Sequence, residues 1–212
     1  MQGAREAGAE SATGQSAILE AASALFAEKG FSGTSLSEIA ARAGVSKANI
    51  YHHFGSKQAL YLAVMRAACQ CTMGGLDGEP SDAGDPVEAL RTFLVRHLED
   101  LLRHPQAGRL VLREMTDSDD TRARALAQEV FSGYASGLVS MVRRAQAEGA
   151  LRADLDPSLL AFVLLAVNSF FFETRRVLPH IEVARFAQVP GPLVDQVFDL
   201  LLHGAQPPEQ DP

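Results

Sequence analysis

Residues 35–54 have the sequence SLSEIAARAGVSKANIYHHF, and their pattern predicts two short helices joined by a tight turn. Ser35 and Glu38 have the spacing of a capping box, in which each side chain bonds the backbone amide of the other residue at a helix start. The buried face of this first helix is predicted from apolar residues at helical spacing: Leu36, Ile39, Ala40 and Ala43. Gly44 ends that helix, and Ser46 is a suitable N-cap for a second helix that ends near Phe54.

Two short helices around a glycine-containing turn form a helix-turn-helix, whose second helix enters the major groove of DNA. The outer face of the second helix is polar, as this role requires, and presents Lys47, Asn49, Tyr51, His52 and His53. Asparagine suits adenine, lysine reaches guanine or phosphate, and tyrosine and histidine can bond phosphate oxygens. Lys57, near the start of the next helix, is expected to meet a backbone phosphate.

The flanking segments predict two further helices. The first spans about Gln15 to Lys29, with Ile18, Ala22, Leu25 and Phe26 on its buried face, and Gly30 ends it. The other spans about 56–73, with Leu60, Val64, Ala67 and Ala68 directed inward. Residues 1–14 are small and polar without periodicity, so we expect them to be a disordered tail.

Residues 74–84 predict a loop, and longer helices follow it. These helices cover about 85–104, 106–115, 120–148, 156–176 and 192–203, and residues 205–212 form a tail. The predicted fold class is all-α with about nine helices. A helix-turn-helix domain occupies residues 15–73, with its motif at 35–54, and a larger helical domain occupies residues 74–204.

Composition and charge restrict the possible functions. The formal net charge is −7, but the segment from Gln15 to Leu60 carries four basic and three acidic residues, which permits DNA binding. Two cysteines, Cys69 and Cys71, are too few for a disulfide framework. The adjacent His52 and His53 point in different directions on a helix and cannot bind one metal ion together, so we expect no metal and no cofactor. No catalytic motif and no secretory signal is present, so we expect a non-enzymatic, cytoplasmic protein.

Residues 15–61 resemble the DNA-binding domain of the TetR family of regulators. The pattern A-x-x-x-G-V-S-x-x-x-[IL]-Y-x-[HY]-F-x-[SN]-K-x-x-L is matched from Ala40 through Leu60. The resemblance implies a homodimer that binds a palindromic operator, most often as a repressor that a small ligand releases. The DNA-binding residues that we assign are Ser35, Ser37, Ser46, Lys47, Ala48, Asn49, Tyr51, His52, His53 and Lys57. Some relatives have a longer basic side chain where this chain has Ser37, so we expect fewer base contacts there.

The resemblance also implies that the C-terminal helices hold the ligand pocket and the dimer interface. The candidate ligand-binding residues are Phe93, His97, Met115, Phe131, Tyr134, Phe162, Asn168 and Phe171. His97 and Asn168 are the stronger candidates, because a buried polar group needs a partner that a ligand can supply. The ligand is expected to be a hydrophobic or aromatic small molecule. Leu159–Phe172 and Leu193–Leu202 are the predicted dimer interface, because three consecutive phenylalanines cannot all face one side of a helix.

The alternative to a DNA-binding regulator is a helical adaptor, a protein that keeps this fold but does not bind an operator. Such a protein would be expected to lose Lys47, Tyr51 or Lys57, and all three are present. The sequence therefore favours a protein that still binds DNA.

Overall fold

The computed structural model describes residues 2–74, 84–184 and 195–201, and for residues 2–13 it describes the backbone. Every regular element in these ranges is helical, which confirms the predicted all-α class. In chain order the helices are α1 (Gln2–Lys29), α2 (Leu36–Ala43), α3 (Lys47–Phe54), α4 (Lys57–Met73), α5 (Pro86–Arg103), α6 (Pro105–Asp117), α7 (Asp120–Leu126), a π-helix (Ala127–Phe131), α8 (Ser132–Ala147), α9 (Pro157–Thr174), a 3-10 turn (Leu178–His180) and α10 (195–201).

Helix α1 begins at Gln2 rather than near Gln15, so the structure differs from the predicted disorder of residues 1–14. Alanine, glutamate, glutamine and arginine favour helix, and no proline interrupts this segment, so the helix continues toward the N-terminus despite its glycines. Met1, residues 75–83 of the predicted loop and the tail at 205–212 lie outside the described residues. The same holds for Leu193 and Leu202, at the ends of the predicted interface segment.

The chain packs as two compact units. Unit 1 combines Met1–Cys69 with Gln106–Val130, and unit 2 combines Gln70–Pro105 with Phe131–Pro212. The first boundary lies after Cys69 within α4, and α6 and α7 pack in unit 1 together with the helix-turn-helix. Periodicity shows that a helix has a buried face, and it does not show which distant segment covers that face.

The helix-turn-helix of unit 1 has the predicted caps. The Ser35 backbone N–H donates to Glu38 Oε2 at 2.8 Å and the Glu38 N–H donates to Ser35 Oγ at 3.2 Å, which completes the capping box. Gly44 has φ +67° at the turn, and Ser46 Oγ accepts from the Asn49 N–H at 3.1 Å. A hydrogen bond from Lys29, followed by those from Ser35, lowers the pKa of Glu38 to about 2.

The predicted inner face of α1 is confirmed. Ile18, Ala22, Leu25 and Phe26 are buried, and the Phe26 ring meets the fully buried Tyr61 of α4 edge-on, with 5.1 Å between the ring centroids. This aromatic packing fixes α4 against the helix-turn-helix.

Unit 2 is built on α5, α8 and α9, whose buried side chains form one apolar cluster with residues from α10 and the loop after α8. The cluster consists of Leu90, Phe93, Leu94, Leu98, Leu138, Val142, Ala145, Leu151, Ala161, Leu164, Phe171 and Phe198. Arg91 of α5 forms ion pairs with Asp195 and Asp199 of α10, and its guanidinium lies 4.7 Å from the centroid of the Phe198 ring. Together these contacts hold α10 on α5.

The single helix predicted over about 120–148 is divided into α7, the π-helix and α8. Arg66 of α4 donates from Nε to the Glu129 backbone carbonyl at 3.3 Å, and its Nη2 lies 3.0 Å from Glu129 Oε2. A side chain that bonds a helix carbonyl perturbs the regular ladder, and this is a known cause of local irregularity in a helix. The sequence pattern alone did not predict this break.

Helix α9 has two different faces. Ala161, Leu164, Asn168, Phe171 and Phe172 are buried, whereas Leu159, Phe162 and Phe170 are each more than 60 % exposed in the single chain. Within the described ranges α9 is the one helix long and apolar enough to cross a bilayer by length and composition, and core helices of soluble proteins pass the same test.

Candidate DNA-binding surface and a buried polar pair

The outer face of α3 carries four of the ten predicted DNA-binding residues in exposed positions. Lys47, Ala48, Tyr51 and His52 are exposed, with the Tyr51 side chain 50 % accessible, and His53 is half-buried. Ile50 faces inward and is buried, and caps at both ends of α3 fix its position. Ser35 and Ser37 at the start of α2 and Ser46 before α3 are also exposed. The polar groups on this face therefore stand on a rigid, capped support.

The side-chain amide of Asn49 is less accessible than expected for a residue that bonds an adenine through both amide atoms. Its side chain is half-buried, and its Oδ1 is buried and accepts no hydrogen bond within the described part of the chain. A bidentate contact with adenine needs both Oδ1 and Nδ2 to be accessible. In the conformation seen here, Asn49 does not present that pair of atoms.

Lys57 is half-buried rather than fully extended into solvent. Its Nζ lies 4.3 Å from the centroid of the Phe31 ring, in a cation–π contact. Burial first, and then the charge of Arg122, lower the pKa of Lys57. Phe31 and Arg122 were not predicted as site residues, because no local pattern connects the loop after α1 with α7.

In unit 2, three of the predicted ligand-binding residues come together. The rings of Phe93 and His97 stack with 5.8 Å between their centroids, and Asn168 Nδ2 lies 3.2 Å from His97 Nδ1. Asn168 Nδ2 also donates to the Leu94 carbonyl at 2.9 Å. His97 and Asn168 are each only 3 % exposed, and Phe171 lies in the same core cluster as Phe93.

The remaining predicted ligand-binding residues do not join this group. Phe162 and Met115 are 65 % and 60 % exposed in the single chain, and Met115 belongs to unit 1. Phe131 and Tyr134 are half-buried outside the core cluster. Their apolar character suggested a cavity, but the outer faces of α6 and α9 carry apolar residues as well.

A separate apolar cavity of about 400 Å³ opens beside α9. Phe171 is the one predicted ligand-binding residue in its wall, which consists of Val163, Ala166, Val167, Phe170, Phe171, Leu178 and Val197. No cluster of three or more His, Cys, Asp or Glu side chains with metal-binding geometry occurs among the residues that the structure describes.

Burial of His97 gives a prediction for stability against pH. Burial lowers the pKa of His97 to about 4, from 6.5 for an unperturbed histidine, so below pH 6.5 the unfolded chain binds a proton that the folded chain excludes. The free energy of unfolding should therefore fall as the pH decreases from about 6.5 to about 4, by up to about 3 kcal/mol.

Urea unfolding of the wild type and of a His97→Gln variant across this pH range measures that loss, which the variant should not show. A His104→Gln variant, which changes an exposed histidine, should behave as the wild type does. Parallel curves for wild type and His97→Gln would contradict the prediction.

The family profile of the bacterial regulatory proteins of the TetR type matches residues 18–64. A second profile, the C-terminal domain of tetracycline-repressor-like proteins, matches residues 86–205, more than half of the chain. A helix-turn-helix joined to a helical C-terminal region defines a class of one-chain transcriptional regulators. This chain belongs to the TetR family of such regulators.

Individual relatives agree with this assignment. The chain is 29 % identical over 199 residues to the HTH-type transcriptional regulator RutR of Escherichia coli, covering 90 % of each chain. It is 26 % identical over 160 residues to the HTH-type transcriptional repressor NicS of Pseudomonas putida, covering 75 % of each. Both relatives are HTH-type regulators of transcription.

Solved structures share the fold. The fatty acid degradation regulator FadR of Bacillus halodurans has a TM-score of 0.73 at 21 % identity, covering 90 % of this chain and 99 % of its own. FadR of Bacillus subtilis, solved in complex with stearoyl-CoA, has a TM-score of 0.71 at 19 % identity, covering 90 % of this chain and 98 % of its own.

Proposed function

We propose that this protein is a dimeric, ligand-released repressor that binds a palindromic DNA operator through α3. The observation that carries the proposal is the outer face of α3, where Lys47, Tyr51 and His52 are exposed on a capped helix. A lysine and hydrogen-bonding aromatic side chains on such a helix suit the phosphates and base edges of a major groove. Ser35, Ser37 and Ser46, which are also proposed to contact DNA, are exposed as well.

The exposed face of α9 supports the dimer. Taking 100° of rotation per residue, Leu159, Phe162, Val163, Ala166 and Phe170 fall within about 100° of arc on that helix. Exposed apolar patches of this kind mark protein interfaces. A second copy of the chain, packed against α9, would bury these side chains. The resulting dimer would present two α3 helices to successive major grooves of the DNA.

The buried pair His97 and Asn168 supports an effector site in unit 2. His97 and Asn168 are polar side chains within an apolar core, each 3 % exposed, and Asn168 Nδ2 bonds the Leu94 carbonyl and lies 3.2 Å from His97 Nδ1. A mostly hydrophobic or aromatic effector with one polar group would find hydrogen-bonding partners in these two side chains. Phe93, which stacks on His97, and Phe171 would contact its apolar part.

Release of DNA would follow from the connectivity of the chain. The chain passes between the two units within α4, at the start of α6 and within the π-helix. An effector that binds unit 2 more tightly in one conformation shifts the population toward it, and these three connections can carry the change to unit 1. The spacing of the two α3 helices would then no longer match the operator.

The test begins with a pool of random-sequence duplex DNA, from which the purified wild type selects its preferred sequence. We expect a palindrome whose half-site centres are about one helical turn of DNA apart, and saturable binding by fluorescence anisotropy that weakens steeply with salt. No enrichment over the starting pool would contradict the proposal and favour the adaptor. Screening hydrophobic and aromatic compounds for release of the selected duplex then tests the effector site, with Asn168→Leu as the variant expected to lose the response.

A further inference from the structure

An aromatic ring in unit 1 lies beside two cations that come from distant parts of the chain. Phe31, in the loop after α1, has Lys57 Nζ 4.3 Å from its ring centroid and Arg122 Cζ 5.3 Å from it. Tyr61 of α4 packs on the same ring, edge to face, with 4.9 Å between centroids. Helix α7 therefore supplies a charged side chain to the place where α4 begins.

The two cations differ in how firmly they are held. The Arg122 side chain is 12 % exposed, its Nε lies 3.2 Å from Asp119 Oδ2, and its Nη2 donates to the Asp117 carbonyl at 3.2 Å. Lys57 has no carboxylate within salt-bridge distance among the described residues. Arg122 is thus a fixed charge, and Lys57 is a cation on a flexible stem that is available to another anion.

The π-helix, which directly follows α7, also contacts α4. There Arg66 of α4 bonds both the backbone carbonyl and the carboxylate of Glu129. Helix α6, which precedes α7, contacts α1 through a hydrogen bond of 3.4 Å from Arg113 Nη1 to the Ala27 carbonyl. These contacts hold Arg122 in place relative to Phe31 and Lys57. Its position beside Phe31 is therefore part of the packing of unit 1.

Placing two cations beside one ring has an electrostatic consequence. Burial, and then repulsion by the charge of Arg122, disfavour the charged form of Lys57 and lower its pKa in the free protein, while the charge of Glu38 acts in the opposite sense. A DNA phosphate at the N-terminal end of α4 would offset this repulsion, and the positive end of the helix dipole would favour the phosphate as well. The ring and the fixed guanidinium together restrict where the ammonium can lie, which reduces the entropy lost when Lys57 binds a phosphate.

We propose that Arg122 of α7 is a positioning residue for DNA binding, which acts with Phe31 to hold Lys57 where a backbone phosphate meets it. Arg122 acts through Lys57 and not by touching DNA itself. This inference rests on the proposed function, because it requires that Lys57 contact the operator. It gives helix α7 an indirect part in operator affinity.

A double-mutant cycle tests the inference on the selected duplex. The variants are Lys57→Ala, Arg122→Gln and the combination of both, with Arg124→Gln as a matched control that removes the same charge from an exposed position on α7. Each single variant should weaken binding about tenfold per half-site, as expected for one charge-assisted hydrogen bond, and should reduce the slope of log K against log salt by about 0.9 per half-site, since a dimer presents each side chain twice. The double variant should bind like Lys57→Ala alone, and Arg124→Gln should keep the wild-type slope.

A Phe31→Leu variant removes the ring that both cations share and should reproduce the effect of Arg122→Gln. Additive losses in the cycle, or a lower melting temperature for Arg122→Gln with an unchanged salt slope, would overturn the inference and leave the proposed function intact. Failure of the wild type to select any duplex would overturn both.

Discussion

Replacing Lys47 and Tyr51 together by alanine is expected to weaken binding to the selected duplex by at least about 100-fold. Each side chain is expected to supply a hydrogen bond to a charged phosphate or to a base edge, and losing one such bond costs about tenfold in affinity. A dimer presents each side chain twice, so the loss per complex is larger than for a single subunit. Removal of Lys47 should also reduce the salt dependence of binding, because fewer counterions are released from the DNA.

The fold should survive this double substitution. Both side chains are exposed, and alanine has the highest helix propensity, so α3 should remain formed on the buried Ile50. Circular dichroism and the melting temperature check this point, and anisotropy titrations at several salt concentrations give the affinity. The control is Arg96→Ala, which removes one positive charge from an exposed position on α5 in unit 2. A loss of less than threefold for the double variant would exclude α3 as the DNA-contacting helix.

Replacing Phe162 and Phe170 together by glutamate is expected to convert the dimer into monomers. Both rings are about two-thirds exposed in the single chain, so the substitution leaves the core of unit 2 intact. In a dimer the same positions would lie against the partner, where an unpaired carboxylate costs several kcal/mol. Analytical ultracentrifugation of the variant should give the mass of one chain, and that of the wild type should give the mass of two.

The same variant should lose affinity for the full palindrome by 100-fold or more, because the two half-sites no longer bind as one linked unit. Its affinity for a single half-site should stay close to that of the wild type. Met115→Glu is the matched control, since it also places a carboxylate at an exposed apolar position, but in unit 1. A variant that remains dimeric would show that the dimer uses another face.

Effects on the two units should be separable in these experiments. The α3 substitutions change DNA contact without changing mass, and the α9 substitutions change mass without changing α3. The pH dependence assigned to His97 is a property of the core of unit 2 and should appear in the absence of DNA. Each measurement therefore reports on one part of the proposed function.

Local signals in the sequence determined the helix-turn-helix. The capping box at Ser35 and Glu38, the left-handed Gly44 and the Ser46 cap all involve residues within a few positions of one another. Apolar spacing identified the buried side chains of α1 and, in α2, Leu36, Ile39 and Ala40, while Ala43 is half-buried, because helical periodicity alone sets which residues share a face. The all-α class and the TetR resemblance followed from the same short-range patterns.

Tertiary packing decided what these patterns do not contain. The placement of α6 and α7 in unit 1, the π-helix beside Arg66 and the exposure of Phe162 and Met115 depend on segments far apart in the chain. Apolar residues at helical spacing indicate that one face of a helix is buried, but the apolar faces of several distant segments could pack against it equally well. The contact of Lys57 and Arg122 with Phe31 has the same origin, since side-chain shape and charge select one partner only when the chain has folded.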